Sequence, residues 1–198
     1  MISKNTLNIV NKLQPFSIVE LETERLWLRG WKEEDREPFF RLSHHPEVME
    51  FFPNTLTKEQ SNIFIDNCIR KFATQGGWGL WAVELKQSGE FIGCVGLNIP
   101  NIEFPFSPFV EIGWRLDKPF WGQGYTCEAA RRIFAFAFTE IGLEEVVAFT
   151  TVSNYRSESV MKKLGMTRDE KTFLHPGLKE NHPLREHVLY RLRRSDFV

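Results

Sequence analysis

The order of the predicted elements points to an α+β protein in which helices cover the faces of a mixed sheet. Adjacent strands joined by a short turn precede a part of the chain in which strands alternate with helices. The chain has 198 residues, of which 42% are hydrophobic and 26% are charged. These values suit a globular domain and exclude the disordered and fibrous classes.

The first half of the chain predicts a strand followed by two helices. Residues 25–31 alternate in polarity, which predicts a strand. A short helix is predicted over 32–42, with acidic residues in its first turn, where the helix dipole favours them. A longer helix over 57–72 begins at Thr57, and Gln60 three residues later predicts a capping box.

The second half predicts further strands separated by two helices. The predicted strands are 80–85, 91–98, 110–116, 145–151 and 186–192. Residues 123–142 place apolar side chains at three- and four-residue spacing, which predicts an amphipathic helix. Another helix is predicted over 154–164, ended by Gly165. Gly113 inside its strand predicts a bulge or a close approach to a ligand.

Residues 1–20 carry little periodicity, and we predict that they form a surface extension to a single domain over residues 21–198. No internal repeat or low-complexity tract divides the chain. The longest apolar run, 133–138, is far shorter than the roughly 20 residues that span a bilayer, so a soluble protein with no membrane partner is expected.

Charge and cysteine content exclude further classes of function. The 25 basic and 26 acidic residues give a net charge of -1, which argues against binding nucleic acid through bulk charge. The 3 cysteines are widely spaced and form neither a disulfide framework nor a CxxC pair. This pattern favours the reducing cytoplasm and predicts no metal site.

The segment 111–128 carries the strongest chemical signal. A strand ends near Leu116, and Gly122 and Gly124 precede the helix. Bare N–H groups at a helix N-terminus bind phosphate, and glycine allows its close approach. Taken alone, the pattern fits a plain tight turn at least as well. It lacks the Lys-Ser/Thr of a Walker loop, and Cys127 replaces the third glycine of a dinucleotide fingerprint.

Three segments resemble motifs of the GCN5-related N-acetyltransferase (GNAT) superfamily. Residues 121–130, WGQGYTCEAA, resemble the loop that holds the pyrophosphate of acetyl-CoA. Residues 152–166 are similar to the NxxS…KLGF motif on the helix after the family's fifth strand. Residues 21–29, LETERLWLR, resemble the start of the RimJ/RimL-like branch, which acetylates N-terminal or other amines.

The resemblance implies the GNAT fold and the reaction that goes with it. The fold is a twisted, mixed and mostly antiparallel sheet of about seven strands, flanked by helices and splayed between the family's strands 4 and 5. The implied reaction is direct acetyl transfer from acetyl-CoA to a primary amine in a ternary complex, without a metal. The acceptor is either a protein N-terminus or a small-molecule amine, and the protein is a monomer or a homodimer.

The resemblance also implies roles for individual residues. Glu111, on the strand beside the expected thioester, is the candidate general base through a water, and a structural ion pair is the alternative. The residues expected to contact acetyl-CoA are Trp114, Leu116, Trp121, Gly122, Gln123, Gly124, Tyr125, Thr126, Asn154 and Ser157. For Asn154, a simple N-cap of its helix is the alternative.

Two positions depart from the family pattern. Pro119 stands where the family has Arg or Gln, which puts one side-chain contact to the coenzyme in doubt. Met161 stands where many members have a Tyr that protonates the leaving thiolate, and a thioether donates no proton. Met161 therefore keeps open an alternative function, a non-catalytic sensor that binds acyl-CoA.

An aromatic loop precedes the strand of Glu111. Residues 104–109, FPFSPF, either line a pocket for the acyl acceptor or pack as core beneath a loop. His175 is a further candidate for the acceptor site, with a packing role as its alternative.

Overall fold

A nine-stranded sheet runs through residues 17–197, the part of the chain that the computed structural model describes. The strands are β1 (Leu21–Glu22), β2 (Leu26–Arg29), β3 (Leu80–Leu85), β4 (Phe91–Asn98), β5 (Glu111–Leu116), β6 (Glu145–Thr151), β7 (Thr167–Arg168), β8 (Phe173–Leu174) and β9 (Glu186–Arg193). Their spatial order is β1-β2-β3-β4-β5-β6-β9-β7, and β8 also pairs with β9. The predicted mixed, mostly antiparallel sheet is confirmed.

Four α-helices within residues 17–197 flank the sheet. They are α1 (Arg36–His44), α2 (Lys58–Thr74), α3 (Tyr125–Phe136) and α4 (Tyr155–Lys163). A π-helical turn, Ala137–Ile141, continues α3, and 3-10 turns cover Glu33–Asp35, Lys118–Phe120 and Arg194–Asp196. The capping box of α2 is confirmed, because Thr57 Oγ1 accepts from the N–H of Gln60 at 3.2 Å and Gln60 Oε1 accepts from the N–H of Thr57 at 2.9 Å.

The sheet has more strands than the sequence predicted. The additional strands β1, β7 and β8 contain 2 residues each. Alternation of polarity cannot be recognised over so short a run, and only pairing with a neighbouring strand defines these elements. Within residues 17–197, no helix combines the length and the apolar character that crossing a bilayer requires.

The N-terminal end of the described chain packs against the sheet. Val19 donates its N–H to the carbonyl of Gly77 at 2.8 Å, and the indole of Trp81 donates to the carbonyl of Val19 at 2.7 Å. The larger part of the predicted extension, residues 1–16, lies outside the described residues. The boundary between extension and domain at residue 21 stays a prediction.

The helices divide between the two faces of the sheet. The Arg115 guanidinium of β5 lies 5.5 Å from the ring of Phe39 in α1 and 5.2 Å from that of Phe64 in α2. On the opposite face, Tyr190 of β9 donates to Glu158 of α4 at 2.7 Å. We name these the α1–α2 face and the α3–α4 face. Side chains alternate along a strand, so Glu111 and Gly113 share the α1–α2 face with Arg115.

The sheet opens between β5 and β6, as the resemblance implied. These parallel neighbours share one register pair, Glu111 with Val147, supported by the N–H of Val147 donating to the carbonyl of Val110 at 3.0 Å. Beyond that point they diverge. Of the two alternatives for Gly113, the bulge is wrong, because β4 and β5 pair without interruption from Asn98↔Glu111 to Gly93↔Leu116. The close approach to a ligand stays a prediction.

Candidate active site

A cleft of about 2960 Å³ lies where β5 and β6 separate. On the α3–α4 face it is lined by the loop and first turn that open α3, and by α4. On the α1–α2 face it is lined by residues of α2, the odd-numbered residues of β5 and the loop before β5. The opening in the sheet therefore connects a groove on the α3–α4 face with a chamber on the α1–α2 face.

The loop before α3 has the geometry of an anion site. Gly122 and Gly124 adopt positive φ values of 76° and 84°, which side chains other than glycine rarely adopt. Gly124 is the N-cap of α3 and supplies no side chain to the first N–H groups of the helix. Those amides have no partner within the helix and carry the positive end of its dipole. We call residues 122–126 the cradle.

Arg25 holds the cradle in position. It donates through Nη1 to the carbonyl of Gln123 at 3.1 Å, pairs with Glu128 at 2.6 Å, and stacks 4.4 Å from the ring of Tyr125. Burial alone raises the pKa of Glu128, but hydrogen bonds from Thr23 and Arg25 outweigh it and lower the pKa. Sequence reasoning missed Arg25, although it lies in the segment that resembles the RimJ/RimL-like branch.

Two side chains beside the glycines are hydrogen-bonded to nearby backbone carbonyls. Gln123 donates through Nε2 to the carbonyl of Pro119 at 2.8 Å, so Pro119 anchors the loop through its backbone. The indole of Trp121 donates to the carbonyl of Leu116 at 2.8 Å, and the Arg156 guanidinium lies 4.9 Å from the Trp121 ring. What the cradle offers to a ligand is therefore backbone, with Thr126 half-buried in the first turn of α3.

The edge of β5 that faces the opening has free backbone groups. Asp117 donates its N–H to the carbonyl of Ile92 of β4, and the carbonyl of Val110 accepts from Val147 of β6. Along a strand, the backbone groups of successive residues point alternately to the two neighbouring strands. The residues between Val110 and Asp117 whose backbone groups face β6 are Ile112, Trp114 and Leu116. Of the three carbonyls, that of Leu116 accepts from Trp121. The edge at Trp114 is available to an extended ligand.

Asn154 caps α4. Its Oδ1 accepts from the N–H of Ser157 at 3.1 Å, and its Nδ2 donates to Thr150 at 2.9 Å. The N-cap alternative is therefore confirmed, and one N–H of the Asn154 amide is left for a ligand. Met161 in the same helix is 1% exposed, and its thioether offers no proton to the cleft.

Glu111 lies at the point where β5 and β6 last touch, half-buried and lining the cleft. It accepts a hydrogen bond from Asn98, which in turn accepts from Lys71 of α2. Burial raises the pKa of Glu111, opposed by the Asn98 hydrogen bond and the charge of Lys71. The Asn98 amide lies between the Glu111 carboxylate and the Lys71 ammonium. The structural ion pair that was the alternative role for Glu111 is therefore not a direct contact.

Aromatic and imidazole rings form the far side of the chamber. We call this cluster the aromatic wall; it consists of Phe104, Phe106, Phe109, Phe149, Phe173, His175 and His187. Phe104 is 5% exposed and belongs to the core, whereas Phe109 and His175 line the cleft. The core interpretation of the 104–109 loop therefore holds for Phe104. The acceptor pocket stays a prediction, and Phe109 has the position in the cleft that it requires.

The three cysteines serve no common centre. Cys68 and Cys94 are buried and Cys127 is half-buried, all as free thiols. In residues 17–197, no three His, Cys, Asp or Glu side chains are grouped so that they could bind a metal.

Comparison with known proteins identifies the family. Residues 25–167 match the acetyltransferase (GNAT) domain. The chain therefore belongs to the GNAT family of N-acetyltransferases. This confirms the family that the motifs at 121–130 and 152–166 predicted.

The relatives include one with a stated reaction. The FsC-acetyl coenzyme A-N(2)-transacetylase of Aspergillus fumigatus is 33% identical over 193 residues, covering 90% of this chain and 77% of the relative. Among solved structures, a GNAT acetyltransferase from Bacillus anthracis superposes with a TM-score of 0.74 at 22% identity, covering 89% of this chain and 99% of its own. The ribosomal-protein-S5-alanine acetyltransferase of Vibrio fischeri gives a TM-score of 0.69 at 22% identity, covering 91% of this chain and 99% of its own.

The aromatic wall predicts a pH dependence of stability. Burial lowers the pKa of His187 from 6.5 to about 4, helped by nearby His175 and opposed by the hydrogen bond to Arg185. Below pH 6.5 the unfolded chain binds a proton that the folded protein excludes. We expect His187 to lower the free energy of unfolding by about 3 kcal/mol as the pH falls from 6.5 to 4.

Urea denaturation at a series of pH values measures this effect. His187→Asn keeps a donor for the Arg185 carbonyl but does not titrate, so its stability should fall less than that of the wild type over the same range. The same substitution at exposed His44 is the control. Parallel pH profiles for the wild type and His187→Asn would contradict the assignment.

Proposed function

We propose that the protein binds acetyl-CoA in the α3–α4 side of the cleft and transfers the acetyl group to a primary amine that enters from the α1–α2 face. The observation that carries this proposal is the single register pair between β5 and β6. It places Glu111 at the end of an opening whose other end is the cradle. Membership of the GNAT family supplies the reaction class.

The expected coenzyme contacts form a continuous path along the cleft. The diphosphate of acetyl-CoA binds the free amides of the cradle, because an anion there replaces the missing partners of the helix N-terminus. The pantetheine arm runs along the open edge of β5 at Trp114 and reaches the remaining N–H of Asn154. Ser157 lines the same part of the cleft from α4.

Transfer requires a neutral amine to attack the thioester carbonyl. The new C–N bond forms, the C–S bond breaks, and the proton of the amine leaves through a water to Glu111. A free N–H on the edge of β5 stabilises the oxyanion. A thiol with a pKa of about 8.5 needs little help from an acid near neutral pH. Met161 at the position of the usual Tyr is therefore compatible with turnover.

The acceptor is an amine, and the relatives support this class. The name of the Aspergillus relative states transfer from acetyl-CoA to an N(2) atom, and that of the Vibrio structure names a ribosomal-protein alanine as acceptor. Both a small amine and a protein N-terminus remain candidates on this ground. The sensor alternative rested on Met161 alone, whereas the similarity to acetyltransferases favours the enzyme.

Replacing Gly124 tests the cradle. Gly124→Val places a branched side chain at a φ of 84°, beside Arg25 and over the first amides of α3. We expect the dissociation constant of CoA, measured by calorimetry, to rise by about tenfold or more. Gly89→Val is a matched control, because Gly89 has a φ of 70° in the β3–β4 turn, away from the cleft. Equal CoA affinity in wild type and Gly124→Val would place the diphosphate elsewhere.

Replacing Glu111 tests the base. Glu111→Gln keeps the size of the side chain and removes its basicity, so we expect kcat to fall by about 100-fold with CoA affinity unchanged. Because burial raises the pKa of Glu111, the acid limb of the wild-type pH–rate profile should lie above the usual carboxylate range and vanish in the variant. Exposed Glu90→Gln is the control. Wild-type turnover by Glu111→Gln across the pH series would exclude Glu111 as the base.

Filling the floor of the chamber tests the direction of acceptor entry. A Cβ at Gly113 meets nothing within 4 Å and its φ is not positive, so Gly113→Val should fold as well as the wild type. The added side chain occupies the space between Glu111 and Arg115. We expect the KM of the acceptor to rise by about tenfold, with the affinity for CoA and the melting temperature unchanged. A rise confined to the KM of acetyl-CoA would place the acceptor on the other face.

A further inference from the structure

We propose that Arg115 binds a carboxylate on the acceptor, so that this enzyme acetylates amines that also carry a carboxylate. The inference rests on the proposed function, and it adds a substrate class and a specificity-determining residue. It is carried by the surroundings of the Arg115 side chain on the α1–α2 face of the cleft.

Arg115 carries a half-buried charge that forms no ion pair within residues 17–197. Its Nη1 donates to Ser43 at 3.1 Å, and its Nε is buried with no hydrogen-bond partner. Its other neighbours include the aromatic rings of Phe39, Phe52 and Phe64, between 4.3 and 5.5 Å from the guanidinium carbon. The buried, uncharged thiols of Cys68 and Cys94 also lie near it. Such contacts offset only part of the desolvation of a guanidinium.

Arg29 shows how the same protein satisfies a buried guanidinium. Arg29 is 7% exposed and pairs with Asp35 at 2.7 Å and with Glu84 at 2.6 Å. Among residues 17–197, no carboxylate forms an ion pair with Arg115. Residues 1–16 contain neither Asp nor Glu, so no side chain outside the described part can supply the missing anion.

The position of Arg115 points to a ligand as the missing partner. Arg115 lines the cleft together with Glu111 and Gly113, which lie on the same face of β5. The space above Gly113 is open, since a Cβ there meets nothing within 4 Å. An acceptor can therefore lie along this row with its amine at Glu111 and its carboxylate at Arg115. A guanidinium is the side chain best matched to a carboxylate.

The geometry of the row sets the spacing within the acceptor. Four residues of a strand separate the two Cα atoms by about 13 Å, a distance that the two side chains and a bridging water reduce. We therefore infer that the amine and the carboxylate are separated by several bonds and are not carried by one carbon atom.

Matched pairs of amines test the proposal. The first member of each pair is a straight-chain amino acid with its amine and carboxylate at opposite ends, from β-alanine to ε-aminocaproate, and the second is the corresponding carboxamide. We expect the wild type to use the best carboxylate with a kcat/KM about tenfold or more above that of its carboxamide. Arg115→Gln should abolish this preference, mainly through the KM of the carboxylate, whereas Arg115→Lys should keep part of it.

Controls separate specificity from folding. Arg41→Gln, on the exposed side of α1, should leave the preference unchanged. CoA should still raise the melting temperature of Arg115→Gln, which shows that the variant folds and binds the coenzyme. If Arg115→Gln does not fold, the comparison of wild type with Arg115→Lys decides. Equal use of carboxylate and carboxamide by the wild type, or a preference that Arg115→Gln and Arg115→Lys retain in full, would overturn the proposal.

A binding measurement distinguishes failure of this inference from failure of the proposed function. If no amine is turned over, the proposed acetyl transfer to these amines fails. The melting temperature of the CoA-saturated protein is then measured with hexanoate and with hexanamide. Stabilisation by hexanoate alone, lost in Arg115→Gln, still supports a carboxylate site at Arg115. Equal effects of the two probes, or none from either, would overturn it.

Discussion

The divergence of β5 and β6 after a single register pair is the constraint on which the site depends. A sheet that stayed paired there would satisfy its backbone groups internally and leave no opening between its faces. Since the strands separate, N–H and C=O groups on the edge of β5 lack strand partners in the middle of the molecule. A ligand that lies along this edge can replace the missing strand contacts, and the proposed coenzyme site depends on this feature of the sheet topology.

The two faces of the sheet offer different chemistry to the two reactants of the proposed function. The α3–α4 face presents backbone, because the side chains of Gln123 and Trp121 are bound to nearby backbone carbonyls and Asn154 caps its helix. A backbone site suits a constant co-substrate. The α1–α2 face presents charged side chains in an environment of low dielectric constant. An unpaired charge there favours a ligand group of opposite charge. That face is suited to discriminating among acceptors.

The fold alone does not decide the acceptor. The Bacillus anthracis and Vibrio fischeri structures are each only 22% identical in sequence to this chain. The superposition nevertheless includes 99% of each of them. Packing of strands and helices tolerates such divergence, because hydrophobic periodicity and not residue identity defines the core. Selection of the acceptor therefore depends on individual side chains of this chain, such as the unpaired guanidinium on β5.

The sequence by itself determined the longer helices and strands, the capping box of α2 and the glycine turn before α3, because each depends on residues a few positions apart. Tertiary structure decided what depends on pairing between distant segments. The unbroken register at Gly113, the two-residue strands and the contact of Arg25 with the cradle, 98 positions away, are of this kind. So is the isolation of Arg115, because only packing shows which carboxylates a half-buried charge fails to meet.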